Sequence, residues 1–129
     1  MAGKLRQVSA QKQKQFSSPT LDMSGLDALV NQFIDDVAAR GAEGISSLGW
    51  GRSNYGLSKL AVIALTRNYA RLHPSLRVNS VCPGYCNTDM SSHRGTRSAS
   101  DGAKNAVLLA TMVNCPTGAF YQNMKPSEW

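Results

Sequence analysis

The most informative absences in this sequence concern long apolar segments. None of its 129 residues belongs to a run of about 18 consecutive apolar residues, the length that a transmembrane helix requires. Residues 1–15 contain basic and amide side chains but no apolar core of the kind that a secretory signal peptide carries. We therefore expect neither a membrane span nor a secretory leader.

Cysteine is scarce as well. The sequence has three cysteines, an odd count, and their positions show no disulfide framework. A zinc site built from Cys82, Cys86 and Cys115 together with His93 would match no standard ligand spacing. We therefore predict reduced thiols, no metal site and a cytoplasmic location.

Acidic residues are fewer than basic ones. The chain has 8 acidic and 14 basic residues, which gives a formal net charge of +6. The basic residues are scattered and are not interleaved with aromatic ones, so we expect no nucleic-acid partner. The excess is compatible with an anionic ligand or with an ordinary solvated surface. With 42% hydrophobic residues, the chain can form the core of one domain.

The N-terminal part of the chain contains one strong helical pattern. Residues 1–20 are polar and are expected to form a loop. Apolar residues at helical spacing predict a helix over residues 24–40, with Ser24 as its N-cap and Gly41 as its stop. Residues 41–54 are rich in glycine and serine, which predicts a mobile loop.

The rest of the chain alternates between helical and extended patterns. An apolar stripe predicts a helix over residues 55–72, which a His-Pro pair ends. A strand over 77–82 follows, then a loop, a helix over 100–113 with Ser98 as its N-cap, and a last strand over 119–121. This alternation is typical of a parallel α/β sheet.

Tyr55 and Lys59 are separated by four positions at the start of the predicted helix. On a helix, side chains at this spacing share one face. A phenol is almost wholly protonated near neutral pH, and a nearby ammonium favours the phenolate. Such a pair can carry a proton to or from an oxygen that undergoes hydride transfer. Taken alone, however, the spacing is more typical of a solvated pair on a helix surface.

Three stretches follow one another along the chain: Tyr-x-x-x-Lys at residues 55–59, Arg-Val-Asn-Ser-Val-Cys-Pro-Gly at 77–84 and Thr-Asp-Met at 88–90. In their order and separation, they resemble the short-chain dehydrogenase/reductase family. The long segment before the tyrosine, with its predicted helix, and the closing Glu128 and Trp129 are similar to the carbonyl-reductase branch. The resemblance covers essentially the whole chain.

The resemblance implies an α/β fold, the C-terminal part of a Rossmann-like doubly wound parallel sheet. Residues 1–54 would form a helical insertion and loop before the catalytic tyrosine, and residues 55–129 the catalytic helix and the remaining αβ units. The N-terminal dinucleotide-binding half is absent, because the sequence has no Gly-rich strand–turn–helix segment and lacks the family's catalytic serine. Ser46, Ser47 and Ser53 are not expected to replace that serine, because they lie in a loop.

The activity that the resemblance implies is NADPH-dependent reduction of a carbonyl (ketone, aldehyde or quinone) to an alcohol by hydride transfer. Tyr55 would act as the general acid. Lys59 would favour the phenolate and bind the nicotinamide ribose. The substrate would be a small molecule, and proteins of this branch are mostly monomeric.

The resemblance also implies a set of cofactor-binding residues: Tyr55, Lys59, Pro83, Gly84, Cys86 and Thr88. Pro83 and Gly84 would end a strand at the edge of the sheet where ligands bind. The backbone around Cys86 and the Thr88 hydroxyl would contact the nicotinamide carboxamide or a phosphate.

Two further expectations concern pocket lining and stability. Trp50 and Tyr85 could line a substrate pocket, although aromatic residues near loops more often pack in a core. A chain without the dinucleotide-binding half is expected to be marginally stable, to bind NADP(H) weakly and to be inactive alone. The alternative is a catalytically dead, truncated paralogue that acts as an interaction module through an exposed sheet edge.

Overall fold

The computed structural model describes residues 3–129, which form two compact units. Residues 3–68 and Trp129 make up the first unit, and Tyr69–Glu128 make up the second. The α-helices are α1 (Ala10–Ser17), α2 (Met23–Gly44), α3 (Asn54–Leu72) and α4 (Ala99–Thr111). The strands are β1 (Ser80–Cys82), β2 (Phe120–Gln122) and β3 (Lys125–Pro126). Within the described residues, no helix combines the length and the apolarity needed to cross a membrane.

Helix α1 corrects the prediction of a loop over residues 1–20, of which residues 1 and 2 lie outside the described part. The Ser9 hydroxyl caps the helix by accepting a hydrogen bond from the backbone N–H of Lys12 at 3.3 Å. Most residues of α1 are Lys and Gln, which are good helix formers but leave no apolar period to detect. Its single aromatic residue, Phe16, is 2% exposed and anchors the helix in the core.

Helix α2 is the predicted helix over residues 24–40, with both ends moved. Asp22, rather than Ser24, is the N-cap, and its Oδ1 accepts from the N–H of Gly25 at 2.7 Å. Gly41 was predicted to stop the helix but instead kinks it, with a φ of 71° and a ψ of 167°. One further helical turn follows the kink, so the helical region extends to Gly44.

The core of the first unit is built around large side chains from four segments. Trp50, Ile45 and Leu60 are each at most 1% exposed. Phe16 and Phe33 meet the Trp50 ring edge to face, with centroids 6.5 Å and 5.5 Å away. Segment 41–54, predicted to be a loop on its glycine and serine content, therefore contributes two of the most buried residues of the unit.

The second unit contains a three-stranded mixed sheet in the order β1-β2-β3. Strands β1 and β2 pair in parallel, with Val81 opposite Tyr121, and β2 and β3 pair antiparallel. The two predicted strands are present but short, and β3 was not predicted. Strand β1 lies at one edge of this sheet, where it pairs with β2 alone among the described strands.

Helix α4 confirms the predicted N-cap, because the Ser98 hydroxyl accepts from the N–H of Asp101 at 3.0 Å. Its buried face consists of Gly102, Asn105 and Leu109. The Asn105 side chain donates to the Cys82 carbonyl at 3.2 Å and accepts from the Met124 N–H at 2.6 Å. Leu108 is half-buried, and the remaining apolar residues of α4 are exposed: Ala99, Ala103, Ala106, Val107 and Ala110.

Candidate functional site

Tyr55 and Lys59 lie side by side in the first turns of α3. Both side chains are exposed, and the Lys59 Nζ lies 5.4 Å from the centroid of the Tyr55 ring. The helix begins here because the Ser53 hydroxyl accepts from the Gly56 N–H at 2.9 Å. The structure thus places a phenol and an ammonium together on one solvent-accessible helix face.

The three loop serines have structural partners close to themselves. Ser53 caps α3, and the hydroxyls of Ser46 and Ser47 donate to carbonyls three residues earlier, those of Glu43 and Gly44, at 3.4 Å and 2.7 Å. The Ser46 and Ser47 hydroxyls thus donate to local backbone carbonyls, and the Ser53 oxygen serves as a helix cap, so each of the three has a structural role in its own segment.

The backbone that leads into Tyr55 is fixed by residues near the N-terminus of the described chain. The Gln7 side chain donates to the Gly56 carbonyl at 2.8 Å, and the Ser9 N–H donates to the Gly49 carbonyl at 2.8 Å. Gly51 has a φ of +82° and lies so close to the Gln7 carbonyl that an added Cβ would overlap it. The start of α3 is therefore fixed by contacts with Gln7 as well as by its own Ser53 cap.

Trp50 is the centre of a polar and aromatic cluster that sequence reasoning missed. Its Nε1 donates to Asp36 Oδ2 at 2.6 Å, and the Lys12 Nζ lies 3.6 Å from the ring centroid. Lys12 also donates to Gln32 Oε1 at 2.9 Å. Burial lowers the pKa of Lys12 from its ordinary value, and the charge of Asp36 partly opposes that shift. Because Trp50 is 1% exposed, it packs in the core and does not line an open pocket.

Pro83, Gly84, Cys86 and Thr88 lie together in the second unit, directly after β1. Arg97, which sequence reasoning did not single out, fixes this segment. Its guanidinium donates to the Pro83 carbonyl at 3.1 Å, and its backbone carbonyl accepts from the N–H of the residue before Thr88 at 2.7 Å. Cys86 and Arg97 also form an isolated β-bridge. The segment that the resemblance assigns to the nicotinamide is therefore an ordered loop.

Ser91 binds the backbone of Thr88. Its hydroxyl donates to the Thr88 carbonyl at 2.9 Å and accepts from the Thr88 N–H at 3.2 Å, and its own N–H donates to the same carbonyl at 3.0 Å, which closes the 3-10 turn Asp89–Ser91. A threonine hydroxyl can both donate and accept a hydrogen bond. The contacts with Ser91 use the Thr88 backbone and leave that capacity in place.

An open polar cleft of about 550 Å³ lies beside this loop within the second unit. Arg97 and Lys104 contribute positive charge, and Asp101 pairs with Lys104 at 2.5 Å. The Asn123 side chain accepts from Arg97 at 2.7 Å. The cleft is polar, and none of the residues predicted for the site lines it.

Comparisons with known proteins agree on one family. A family model described as enoyl-(acyl carrier protein) reductase matches residues 41–115. The (+)-neomenthol dehydrogenase of Capsicum annuum is 40% identical over 99 residues, which are 74% of this chain and 31% of that protein. Carbonyl reductase (NADPH) 1 of Rattus norvegicus is 34% identical over 134 aligned positions, which cover 97% of this chain and 47% of that protein.

A solved structure extends the agreement to the fold. Salutaridine reductase from Papaver somniferum matches with a TM-score of 0.82 at 31% identity, over 92% of this chain and 41% of that one. The chain thus spans less than half the length of each of these relatives. The match confirms the predicted fold class, a partial Rossmann-like α/β fold with a helical segment before α3. The chain belongs to the short-chain dehydrogenase/reductase family, in its carbonyl-reductase-like branch.

Proposed function

We propose that this chain supplies the proton donor of an NADPH-dependent carbonyl reductase that converts a ketone, aldehyde or quinone to an alcohol. The observation that carries the proposal is the pairing of Tyr55 with Lys59 on an exposed helix face. The names of the relatives, a carbonyl reductase (NADPH) and a neomenthol dehydrogenase, support the reaction class and the cofactor.

The chemistry of the site follows from these two side chains. The cofactor, when bound, supplies the hydride that reduces the carbonyl carbon. The Tyr55 hydroxyl donates its proton to the carbonyl oxygen, which completes the alcohol and leaves a phenolate. The Lys59 ammonium would stabilise that phenolate and would donate to a ribose hydroxyl of the bound cofactor. Because both side chains are solvent-accessible, the phenolate can recover its proton from water.

The loop after β1 fits a nicotinamide in two respects. Pro83 and Gly84 follow the carboxyl end of β1, the position where ligands bind in open α/β sheets. The Thr88 hydroxyl can donate to a carboxamide or phosphate oxygen, and Cys86 would contribute only its backbone. We propose that residues 1–54 and 55–129 act as the insertion and the catalytic portion of one family domain in a cytoplasmic enzyme.

No Gly-rich strand–turn–helix segment occurs among the 129 residues. Because such a segment holds the pyrophosphate of a dinucleotide, we expect the chain alone to bind NADPH weakly and to be inactive. Turnover is then expected when a dinucleotide-binding segment is joined to its N-terminal side. A melting temperature of the isolated chain that rises strongly with NADPH would contradict this part of the proposal.

The decisive experiment uses this chain with a dinucleotide-binding segment joined to its N-terminal side, called the length-restored protein below. It measures NADPH oxidation by that protein with a quinone or an aldehyde. Tyr55→Phe removes the proton and is expected to lower kcat by about 10²- to 10⁴-fold. Tyr69→Phe is the matched control, because Tyr69 is also an exposed tyrosine of α3 and is expected to keep the wild-type rate. Equal rates for Tyr55→Phe and the wild type would overturn the assignment of the general acid.

A second candidate function rests on the edge position of β1. An edge strand presents unpaired backbone groups to another chain. If the chain acts as an interaction module, sedimentation should show concentration-dependent association, and Tyr55→Phe should leave that association unchanged. A monomer at all concentrations would rule this candidate out.

A further inference from the structure

We propose that Trp50 is a positioning residue for Tyr55, held in place by Asp36 and Lys12. This inference rests on the proposed function, in which Tyr55 donates the proton. Trp50 precedes Tyr55 by five positions and is 1% exposed, whereas Tyr55 is 58% exposed. A buried core residue thus lies only five positions before a solvent-exposed side chain.

The Trp50 ring is held by two polar contacts from two other helices. Asp36 of α2 accepts from its Nε1 at 2.6 Å, and Lys12 of α1 lies 3.6 Å above its centroid. The Asp36 carboxylate attracts both the indole N–H and the ammonium, so the three groups support one another. An apolar residue of similar size would fill the same space but would lack both of these polar contacts.

The backbone carries this constraint from Trp50 to the helix. The Trp50 N–H donates to the Ile45 carbonyl at 3.3 Å, and Gly51 lies directly against the Gln7 carbonyl. Gln7 then binds the Gly56 carbonyl at 2.8 Å, and Ser53 caps α3. Contacts with Gln7 thus fix the backbone at Gly51 and at Gly56, near the two ends of the segment that joins Trp50 to α3. A shift of the indole would be passed on to the first turn of α3.

The kinetic consequence follows from how proton transfer depends on geometry. A displacement of about 1 Å in a catalytic group can cost about 10²-fold in rate. We therefore expect loss of the polar contacts that fix the indole to lower kcat by about 10-fold or more. KM should change little, because Trp50 is 1% exposed and presents almost no surface to a substrate.

The test compares Trp50→Phe, which keeps an aromatic ring but loses the N–H, with variants of its acceptor. Asp36→Asn keeps an oxygen acceptor and should remain close to wild type, whereas Asp36→Leu should resemble Trp50→Phe. The double variant Trp50→Phe/Asp36→Leu should be no worse than either single variant, because both remove the same bond. Phe33→Leu is the matched control, since it removes a ring contact with Trp50 but neither of its two polar contacts.

Two readouts separate this proposal from the proposed function. The first is the NMR resonance of isotope-labelled tyrosine Cζ in the chain itself, assigned to Tyr55 by its loss in Tyr55→Phe. It needs no activity, and it should move in Trp50→Phe and Asp36→Leu but not in Phe33→Leu. The second is kcat and KM in the length-restored protein.

The outcomes are distinct. If Tyr55→Phe is fully active, the proposed function fails, whatever Trp50 does. If Tyr55→Phe is inactive but Trp50→Phe and Asp36→Leu change only the melting temperature, Trp50 is a core residue and the positioning proposal is overturned. Should Trp50→Phe fail to fold, the contrast between Asp36→Asn and Asp36→Leu decides the matter alone.

Discussion

The two units of this chain bury their apolar side chains to very different degrees. In the first unit, Leu60 is fully buried, and the large aromatic Trp50 is 1% exposed. In the second unit, Val107 is 57% exposed and Val113 is 96% exposed. Among the described residues, three large apolar side chains of the helical unit are exposed (Ile34, Tyr55 and Val62), against eight of the sheet unit.

The difference follows from how helices and sheets satisfy their backbones. A helix makes its backbone hydrogen bonds within itself and needs a cover for one face only. A parallel strand needs neighbours at its sides and cover on both faces. Strand β1 has its partner β2 on one side, so it depends on further contacts in a way that α2 does not. Tyr55, the proposed proton donor, belongs to the unit with the more completely buried core, and this location suits a group that must be held in one position.

The largest expected effect tests the more completely buried core directly. Leu60→Ala opens a cavity in a fully buried site and should lower the free energy of unfolding by about 2–5 kcal/mol. Leu109→Ala, at the 9% exposed contact of α4, should lie at or below the low end of that range. Urea titrations followed by circular dichroism would measure both. Equal losses would show that the second unit is as tightly packed as the first.

A smaller effect concerns the closest approach of a helix in the second unit. Gly102 of α4 lies against the Cys86 sulfur and Pro83, and an added Cβ would overlap the sulfur. Gly102→Ala should therefore destabilise by about 1–3 kcal/mol, although alanine is the better helix former. Cys86→Ala in the same chain should recover most of that loss. A Gly102→Ala variant more stable than wild type would show that this contact is loose.

The sequence predicted best the elements that depend on local signals. The helix expected over residues 55–72 is observed as α3, and the Ser98 cap of α4 is confirmed, because periodicity and capping act within a few residues. Helix α1 was missed because a single buried aromatic stabilises it. Strand β3 was missed because its turn uses Asn123 and Met124 at positive φ, without a glycine to signal it.

The site divides in the same way. The shared face of Tyr55 and Lys59 follows from their spacing and could be predicted. The contacts that fix Trp50 could not be predicted, because Lys12 and Asp36 lie on two helices that are distant in sequence and share no regular spacing with Trp50. Tertiary contacts of this kind leave no period in the sequence.

Burial in the first unit should also affect its response to pH. Because the pKa of Lys12 is lowered, the folded chain binds fewer protons than the unfolded chain between that lowered value and the ordinary 10.5. The free energy of unfolding contributed by Lys12 should therefore rise with pH across that interval. Lys12→Met should remove the rise, whereas Lys14→Met, at an exposed position of the same helix, should not. Unfolding monitored by tryptophan fluorescence at alkaline pH would measure this difference.

The smallest effect is expected at an exposed charge of the second unit. Hydrogen bonds from Lys104 and Ser98, together with the Lys104 charge, hold the pKa of Asp101 below its ordinary value of 3.8. The stabilisation is therefore present above 3.8 and is lost as the pH falls through the lowered pKa. Asp101→Asn should destabilise α4 slightly at neutral pH and not at all in strong acid. High salt should also shrink the difference, because the ion pair faces solvent. Hydrogen exchange of the α4 amides would measure it, and a salt-independent difference would mean that this charge is as enclosed as Lys12.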